Sequence, residues 1–164
     1  MMDNFGKNQS HDFHMLMKVS GFTHGSGLWS TYQYDGKLLC SNGEKLLQEG
    51  RVASFRDIPA FREDVWHDIS LALARSGILD NDLALQMMED VRLGRYYNKG
   101  MPEEFEKMLL LLGLPEWYPE FLKKVMYMFP KGHCVSLLLF DMILEWYADN
   151  YPEEYKQIES IIAS

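Results

Sequence analysis

The residues best suited to chemistry lie in a short turn near position 130. Phe129 precedes Pro130, and because a residue before proline is disfavoured in the helical conformation, a helix should end there. Lys131 and His133 follow, separated by Gly132, whose backbone is conformationally free. The segment is expected to be a helix, then a tight basic turn, then a buried helix. Such a turn can present an ammonium group and an imidazole to an anion, but it can equally be an ordinary connection between two helices.

A second group of polar side chains occupies residues 92–100, which the pattern predicts to be a loop. It combines cations with tyrosines: Arg92, Arg95, Tyr96, Tyr97 and Lys99. Tyrosine rings can stack on nucleobases while cations meet phosphates, which makes Arg95, Tyr96 and Lys99 candidate nucleic-acid contacts. The same side chains can also cover an edge of the core. The sequence leaves both alternatives open.

A glycine-rich loop surrounds Ser26, with Gly25 and Gly27 on either side. Backbone N–H groups in such a loop can face an anion. The spacing matches neither the dinucleotide-binding pattern nor the ATP-binding lysine pattern, so a structural loop is the favoured interpretation.

Composition and charge limit the classes of function. The chain has 164 residues, of which 47% are hydrophobic, and a formal net charge of −8. A domain that grips a phosphate backbone is usually basic, so the overall charge opposes dedicated nucleic-acid binding, although a local basic patch remains open. Two cysteines and five histidines show no disulfide or metal-ligand spacing, so we expect a reduced, cytoplasmic protein without cofactor or metal.

The chain is predicted to form one domain over residues 15–164. Residues 1–14 are polar, lack the apolar region of a signal peptide and are expected to be a loose tail. The longest apolar run, at 134–140, falls well short of the roughly 18 residues that a membrane span needs, so no membrane association is expected.

The pattern of apolar residues predicts a mainly α-helical fold. A small β-hairpin is expected within residues 28–41, and a short helix within 42–50. Helices follow at 62–76, with Trp66 among its inward residues, and from a cap at Asp80 to Gly94. A helix opened by Pro102 ends at Gly113.

The last third of the chain is also helical in this interpretation. The next helix begins either at Pro115 or at Pro119. The helix at about 133–149 is apolar nearly all round in its first half and should therefore be central. Pro152 then opens an amphipathic helix.

Several segments together resemble one known family. They are Ser-Gly-Phe-Thr-His-Gly at 20–25, Arg-Glu-Asp-Val at 62–65, Met-Glu-Asp-Val-Arg at 88–92, Leu-Pro-Glu-Trp-Tyr at 114–118, Lys-Lys at 123–124, Tyr-Met-Phe-Pro-Lys at 127–131 and Tyr-Pro at 151–152. In this order and spacing they resemble the fingers region of the PolC-type DNA polymerase III alpha subunit of low-GC Gram-positive bacteria. The resemblance covers about residues 15–156.

The resemblance implies a helical, fingers-like domain. In such a polymerase the fingers lie over the nascent base pair, where basic groups meet the template or the nucleoside triphosphate. The positions that would inherit DNA or nucleotide contacts are His24, Arg92, Lys123, Lys124, Lys131 and His133.

The departures from the family affect the expected activity. No part of this sequence resembles the palm, whose carboxylates hold the catalytic metals, so we expect no polymerase activity from this chain alone. The stretch at 30–41 resembles an insertion. In the long helix, basic residues that are common in the family appear here as Ile143 and Ala148. Asp141, Glu145 and Asp149 form an acidic stripe on the same helix, which makes them a candidate partner-binding face.

Three functions remain after this comparison. The first is a non-catalytic binding protein, carried by a phage or mobile element, that acts on the replisome or another nucleic-acid enzyme, as an acidic inhibitor or decoy in one version. The second is a DNA- or nucleotide-binding module that uses the Lys131 and His133 turn. The third is one subunit of a split DNA polymerase.

Overall fold

The computed structural model describes residues 12–162, and within them the fold is mainly α-helical, as predicted. A two-stranded antiparallel sheet accompanies the helices, and a 3₁₀ turn covers Phe55–Asp57. The elements are α1 (Phe13–His24), β1 (Ser30–Tyr32), β2 (Leu38–Ser41), α2 (Gly43–Gln48), α3 (Arg62–Arg75), α4 (Asn81–Arg92), α5 (Arg95–Lys99), α6 (Glu103–Leu111), α7 (Trp117–Leu122), α8 (Lys131–Asn150) and α9 (Pro152–Ile162). Among residues 12–162, no helix is both long and apolar enough to cross a membrane.

Helix α1 begins inside the stretch that was predicted to be a tail. Asp12 caps it by accepting a hydrogen bond from the Met15 backbone N–H at 2.7 Å. The helix therefore starts two residues before the predicted domain boundary. The remainder of the predicted tail, residues 1–11, lies outside the described residues.

The predicted hairpin is present between residues 30 and 41. Its strands pair Ser30 with Ser41 and Thr31 with Cys40, and a bulge follows Thr31. The turn is closed by a hydrogen bond from the Gln33 N–H to the Lys37 carbonyl at 2.7 Å. The hairpin ends directly at α2, with Asn42 between Ser41 of the second strand and Gly43 of the helix.

Helices α3 and α4 pack against each other and supply much of the core. The predicted cap of α4 is confirmed, because Asp80 accepts a hydrogen bond from the Leu83 N–H at 2.9 Å. The inward face of α3 contains Val65 and Ile69, both fully buried. The expectation for Trp66 was wrong: it is 40% exposed and lies at the edge of the buried face that Val65, Ile69, Ala72 and Leu73 form.

Residues 95–99 form the short helix α5 and not the predicted loop. Gly94 has a φ of 64°, a left-handed conformation that lets the chain turn sharply between α4 and α5. Tyr96 then points inward and is 4% exposed. Helix α6 follows as predicted, with Pro102 at its start and Gly113 just beyond its end.

Helix α7 begins at Trp117, between the two predicted alternatives. A turn closes from Pro115 to Tyr118, with the Tyr118 N–H donating to the Pro115 carbonyl at 2.9 Å. Pro119 is then the third helical residue, where its missing N–H interrupts no intrahelical bond.

A non-helical segment at residues 124–130 connects three distant parts of the chain. The Met126 N–H donates to the Ser26 carbonyl at 2.9 Å, and the Ser26 N–H donates to the Tyr127 carbonyl at the same distance. The Met128 N–H donates to the Arg92 carbonyl at 3.1 Å, and Phe129 accepts from the start of α3. The segments that resemble the family are thus held together by backbone hydrogen bonds to residues 124–130, and not by a helix.

Helix α8 is not central, contrary to the prediction. Cys134 is its only fully buried side chain, and the helix packs mainly against α1. Its second half leaves the core, and Ile143 is 53% exposed. Apolar character all round a helix indicates that it needs neighbours, but the described residues supply them only on one side of its first half.

Candidate nucleic-acid interface around residues 127–133

Four rings from the glycine-rich loop and the 127–133 turn form one exposed stack. The imidazole of His133 lies parallel to the ring of Phe129, with centroids 4.7 Å apart. The ring of Tyr127 lies 4.8 Å from that of Phe129, edge to face. His24 closes the group at 6.3 Å from His133. The fold thus brings together two predicted contact residues that are more than 100 positions apart in sequence.

His24 is held in one orientation by its own helix. Its Nδ1 lies 2.9 Å from the Ser20 carbonyl oxygen, which can only accept a hydrogen bond. Nδ1 therefore carries the proton and donates, so Nε2 is the nitrogen left for a ligand. Beside His24 lies an open cleft of about 320 Å³, lined by hydroxyl groups and aromatic rings that include Thr23, Ser26, Trp29 and Thr31.

Lys131 begins helix α8 and does not lie in a free turn. Its ammonium group is 3.5 Å from the Asp64 carboxylate and 5.4 Å from the centre of the Phe61 ring. Its backbone N–H donates to the Glu63 carboxylate at 2.8 Å, so an acidic side chain from α3 already satisfies a donor at the start of α8. The carboxylates of Glu63 and Asp64 therefore take the place of the external anion that the sequence analysis considered at this turn.

Arg92 is also paired with a carboxylate. Its Nε donates to Glu89 at 2.7 Å, one helical turn earlier in α4. This hydrogen bond is the main reason why the pKa of Glu89 is lowered and that of Arg92 raised. Arg92 also faces Tyr127, which links it to the ring stack.

The two lysines at 123–124 differ. Lys123 donates to the Glu106 carboxylate of α6 at 2.8 Å. Lys124 is exposed and forms no ion pair within residues 12–162. Of the four predicted cations at family-matched positions, Lys124 is the one that stays available to an external anion in the described part of the chain.

The additional contacts predicted in residues 95–99 separate in the same way. Arg95 is paired with Asp90 at 2.5 Å. Tyr96 belongs to the core, where burial, together with Asp90, raises the pKa of its hydroxyl. This placement corresponds to the second alternative for Tyr96, the covering of a core edge. Lys99 is exposed and unpaired among the described residues.

The acidic stripe of α8 is exposed as expected. Asp141, Glu145 and Asp149 form no ion pair with any described residue. Within residues 12–162, no group of three or more histidine, cysteine, aspartate or glutamate side chains is arranged to hold a metal ion.

The residues that sequence reasoning missed are the carboxylates that neutralise the predicted cations. Glu63 and Asp64 were visible only as acids in the first turn of α3, and Glu106 only as a charge on α6. The signal that could have found Glu63 and Asp64 is their position inside a family-like segment, since such segments tend to meet one another in the fold.

Comparison of the sequence with known proteins shows which proteins the chain is related to. No protein-family model matches the chain. A DNA polymerase III of PolC type from Clostridium perfringens is 31% identical over 147 residues, which is 90% of this chain and 9% of that enzyme. Those from Caldanaerobacter subterraneus and Ureaplasma parvum are 29% and 32% identical over 87% and 85% of the chain. The chain is therefore related to bacterial DNA polymerase III.

The chain is homologous to only one segment of the PolC-type enzyme. The chain is a distant homologue of a stretch that makes up about 9% of the length of these curated relatives. This finding confirms the resemblance drawn from the motifs at 114–118 and 127–131. The assignment of the stretch to the fingers of the polymerase remains a prediction from those motifs.

Proposed function

We propose that this chain is a non-catalytic, PolC-fingers-like binding protein that acts on DNA replication by contacting a protein partner. The partner is a replicative polymerase or another nucleic-acid enzyme. The homology supports a replication context, and the chain corresponds to about 9% of the relatives. Two-metal phosphoryl transfer needs clustered carboxylates. We infer that the carboxylates of the relatives that hold the metals lie outside the stretch to which this chain is homologous.

The observation that carries the proposal is the internal neutralisation of the Lys131 turn. Glu63 and Asp64 occupy the backbone donor and the ammonium group that a phosphate would use. Arg92 and Lys123 are paired with carboxylates in the same manner. Affinity for a phosphate backbone comes from cations that displace counterions, and cations already paired with carboxylates displace few. The PolC-like fold is kept here while its capacity to grip DNA is reduced.

The acidic stripe gives the proposal a direction. Asp141, Glu145 and Asp149 are exposed and unpaired among the described residues, and the whole chain has a net charge of −8. A surface of this sign complements the basic groove that a nucleic-acid enzyme presents to DNA. In this form the protein is an inhibitor or decoy, and a phage or mobile element is the expected carrier.

Primer extension by a purified PolC-type polymerase from a low-GC Gram-positive bacterium tests the proposal. Added chain should bind the polymerase and slow extension, and the effect should weaken as salt rises. Neutralising the stripe with Asp141→Asn, Glu145→Gln and Asp149→Asn should weaken binding. The matched control, Asp82→Asn with Glu104→Gln and Glu116→Gln, removes the same charge from exposed positions elsewhere and should retain it. Absence of both binding and inhibition would overturn the proposal.

A second candidate is direct binding of DNA or a nucleotide. It is favoured by the exposed stack of Tyr127, Phe129, His133 and His24, because each aromatic ring that stacks on a base contributes about 1–3 kcal/mol. Fluorescence anisotropy with a labelled primer-template at low and moderate salt decides it. Binding that is salt-sensitive and weakened by His133→Ala or Lys124→Gln supports this function, and its absence removes it.

A further inference from the structure

The open cleft beside His24 lies between two different parts of the chain. One wall is formed by residues 22–26, at the end of α1 and the start of the glycine-rich loop. The other wall is formed by residues 29–32, which include strand β1. Residues 30–32 belong to the stretch that resembles an insertion. The resemblance to the PolC family therefore assigns no role to this cleft as a whole.

The backbone donors of the glycine-rich loop are already used inside the protein. The Gly25 N–H donates to the Gly21 carbonyl at 3.0 Å, and the Ser26 N–H donates to the Tyr127 carbonyl at 2.9 Å. The Gly27 N–H donates to the Thr31 hydroxyl oxygen at 2.8 Å. These donors therefore do not form an anion-binding concavity, and a ligand in the cleft has to be recognised by side chains.

The polar groups that remain available in the cleft are hydroxyls and one imidazole nitrogen. Thr31 accepts from the Gly27 N–H, so its own O–H is left to donate. The hydroxyls of Ser26 and Tyr32 have no hydrogen-bond partner within residues 12–162. Nε2 of His24 is an acceptor, because Nδ1 carries the proton. The three hydroxyls can rotate, and those of Ser26 and Tyr32 can both donate and accept.

Two aromatic rings line the cleft beside these hydroxyls. Trp29 is held in place, because its ring centroid lies 5.4 Å from that of Phe22 and its Cε3 atom would be 3.0 Å from a Cβ added at Gly43. The indole N–H belongs to the opposite edge of the ring and has no hydrogen-bond partner in the described part of the chain. Tyr32 is 60% exposed. The cleft thus offers flat apolar surfaces next to rotatable hydroxyls.

Charge limits which ligand fits. Among the described residues, those that line the cleft include no lysine, arginine, aspartate or glutamate. The one charged group in hydrogen-bond contact with the lining is the carboxylate of Glu44, which accepts from the Ser30 hydroxyl. An anionic ligand would lose water of hydration without gaining a cation, and it would lie close to this carboxylate. The cleft is therefore suited to a neutral ligand.

We propose that this cleft binds a neutral sugar. The hydroxyls of a sugar donate and accept, which matches the rotatable hydroxyls of Ser26 and Tyr32, and the apolar C–H face of a sugar packs on an aromatic ring. A nucleobase presents donors and acceptors in a fixed order, and the rigid backbone donors of the loop that would suit it are engaged. A volume of about 320 Å³ lies at the lower end of ligand sites, which suits one or two sugar rings. The site goes beyond the proposed function and does not rest on it.

Saturation-transfer NMR with the full chain tests the proposal, with glucose, galactose, mannose and N-acetylglucosamine as probes. At least one of them should bind saturably, and its affinity should not change as salt rises, because the ligand is neutral. The 6-phosphate of that sugar should bind more weakly, since the cleft supplies no cation. Three results would overturn the proposal: no saturable binding of any of the four sugars, equal or tighter binding of the phosphate, or tighter binding of thymidine than of every sugar.

Variants locate the contact. Tyr32→Ala should weaken binding of the sugar about tenfold, because it removes a ring that lines the cleft. Tyr34→Ala is the matched control, since Tyr34 is fully exposed in the same hairpin and lies outside the cleft, and it should leave binding unchanged. Both substitutions remove exposed side chains, so circular dichroism and the unfolding midpoint should stay close to those of the original chain. Equal affinity of Tyr32→Ala and Tyr34→Ala for the sugar overturns the proposal.

A second pair of measurements separates this site from the contact with a protein partner. Ser26→Ala removes an unpartnered hydroxyl and keeps the backbone hydrogen bonds of Ser26, so it should weaken sugar binding about three- to tenfold. Neither Ser26→Ala nor Tyr32→Ala should change inhibition of the polymerase. If Tyr32→Ala abolishes inhibition and the original chain binds no sugar, the cleft belongs to the protein contact and the sugar site is wrong. If a sugar binds while the polymerase is not inhibited, the site stands and the proposed function fails.

Discussion

The ammonium group of Lys18 lies 3.2 Å from the Asp64 carboxylate in the interior of the protein. The Lys18 side chain is 7% exposed and that of Asp64 17% exposed. Lys18 also donates to the Ile58 carbonyl at 2.7 Å, and Asp64 accepts from the Ala60 N–H at 3.0 Å. The pair therefore ties α1 to the start of α3, where Asp64 also meets Lys131.

Removal of the buried ammonium group should destabilise the fold. Lys18→Met keeps most of the side-chain volume but leaves Asp64 without its close cation and Ile58 without a donor. Breaking a buried pair on one side costs about 3–5 kcal/mol, and the remaining contact with Lys131 should hold the loss near the lower end. Urea unfolding followed by circular dichroism measures the difference.

The control for this prediction is Lys37→Met, which removes an exposed partner. Lys37 is 79% exposed and its pair with Asp35 lies on the hairpin turn. Exposed pairs contribute about 0–1 kcal/mol, so this variant should unfold at nearly the original urea concentration. Equal losses of unfolding free energy in the two variants would show that the buried Lys18 pair stabilises the fold no more than an exposed pair does.

Gly27 is required by the close approach of the 124–130 segment. Its φ is 76°, and a Cβ at this position would collide with the Lys124 carbonyl oxygen. Gly27→Ala therefore adds a steric clash to the cost of a left-handed conformation, which is about 1 kcal/mol by itself. We expect a clear fall in the unfolding midpoint.

The matched control for the glycine is Gly36→Ala in the hairpin turn. Gly36 has a φ of 82°, and nothing lies within 4 Å of the Cβ that alanine would add. This variant carries the conformational cost without the clash, so the difference between the two midpoints isolates the steric contribution. If both variants lose the same stability, the contact between the glycine-rich loop and residues 124–130 is not tight.

The elements that the sequence predicted best are those with local signals. Asp80 and Pro102 mark helix starts by hydrogen bonding and φ restriction within one turn, and both are observed where expected. Helix α5 was missed because its formation depends on the left-handed Gly94 and on burial of Tyr96 by distant residues. The sequence shows the glycine, but it shows neither that a helix follows the turn nor which distant residues bury Tyr96.

The candidate site shows the same limit. The stacking of His133 on Phe129 follows from neighbours four residues apart, but the neutralisation of Lys131 by Glu63 joins residues 68 positions apart. A contact between residues so far apart cannot be predicted from their spacing along the chain. The mistaken central position of α8 has a related cause, because an apolar helix indicates a need for contact without naming the partner that provides it.

The two cysteines should react at very different rates. Cys134 is fully buried between α8 and α1, and burial raises the pKa of its thiol. Since the thiolate is the reactive form, a higher pKa and lack of access both slow the reaction. Cys40 is partly exposed on β2. Ellman's reagent at neutral pH should label one thiol quickly and the second only with unfolding.

Substitution assigns the two phases. In Cys40→Ser the fast phase should disappear while the slow phase remains, and urea should accelerate the slow phase to that of a free thiol. A fast reaction in Cys40→Ser would mean that the contact of α8 with α1 opens readily, contrary to the packing around Cys134.

Asp68 should make stability fall as the pH rises. Burial raises the pKa of Asp68 above its ordinary value of 3.8, although the Tyr118 hydroxyl opposes this shift by donating to the carboxylate at 3.0 Å. A raised folded-state pKa means that the native protein binds more protons than the unfolded chain between the two pKa values. The contribution is fully present below 3.8 and is lost as the pH rises through the folded-state pKa.

Asp68→Asn removes this titration and keeps an oxygen that accepts from Tyr118. The unfolding free energy of the variant should gain on that of the original chain as the pH rises from about 4 towards neutrality, because the variant has no charge to bury. Urea titrations at several pH values, compared as a difference between the two proteins, measure the effect. Tyr118→Phe removes the opposing hydrogen bond, so the pKa should rise further and the loss should extend to higher pH. Parallel curves for Asp68→Asn and the original chain would show that Asp68 is not desolvated enough to affect folding.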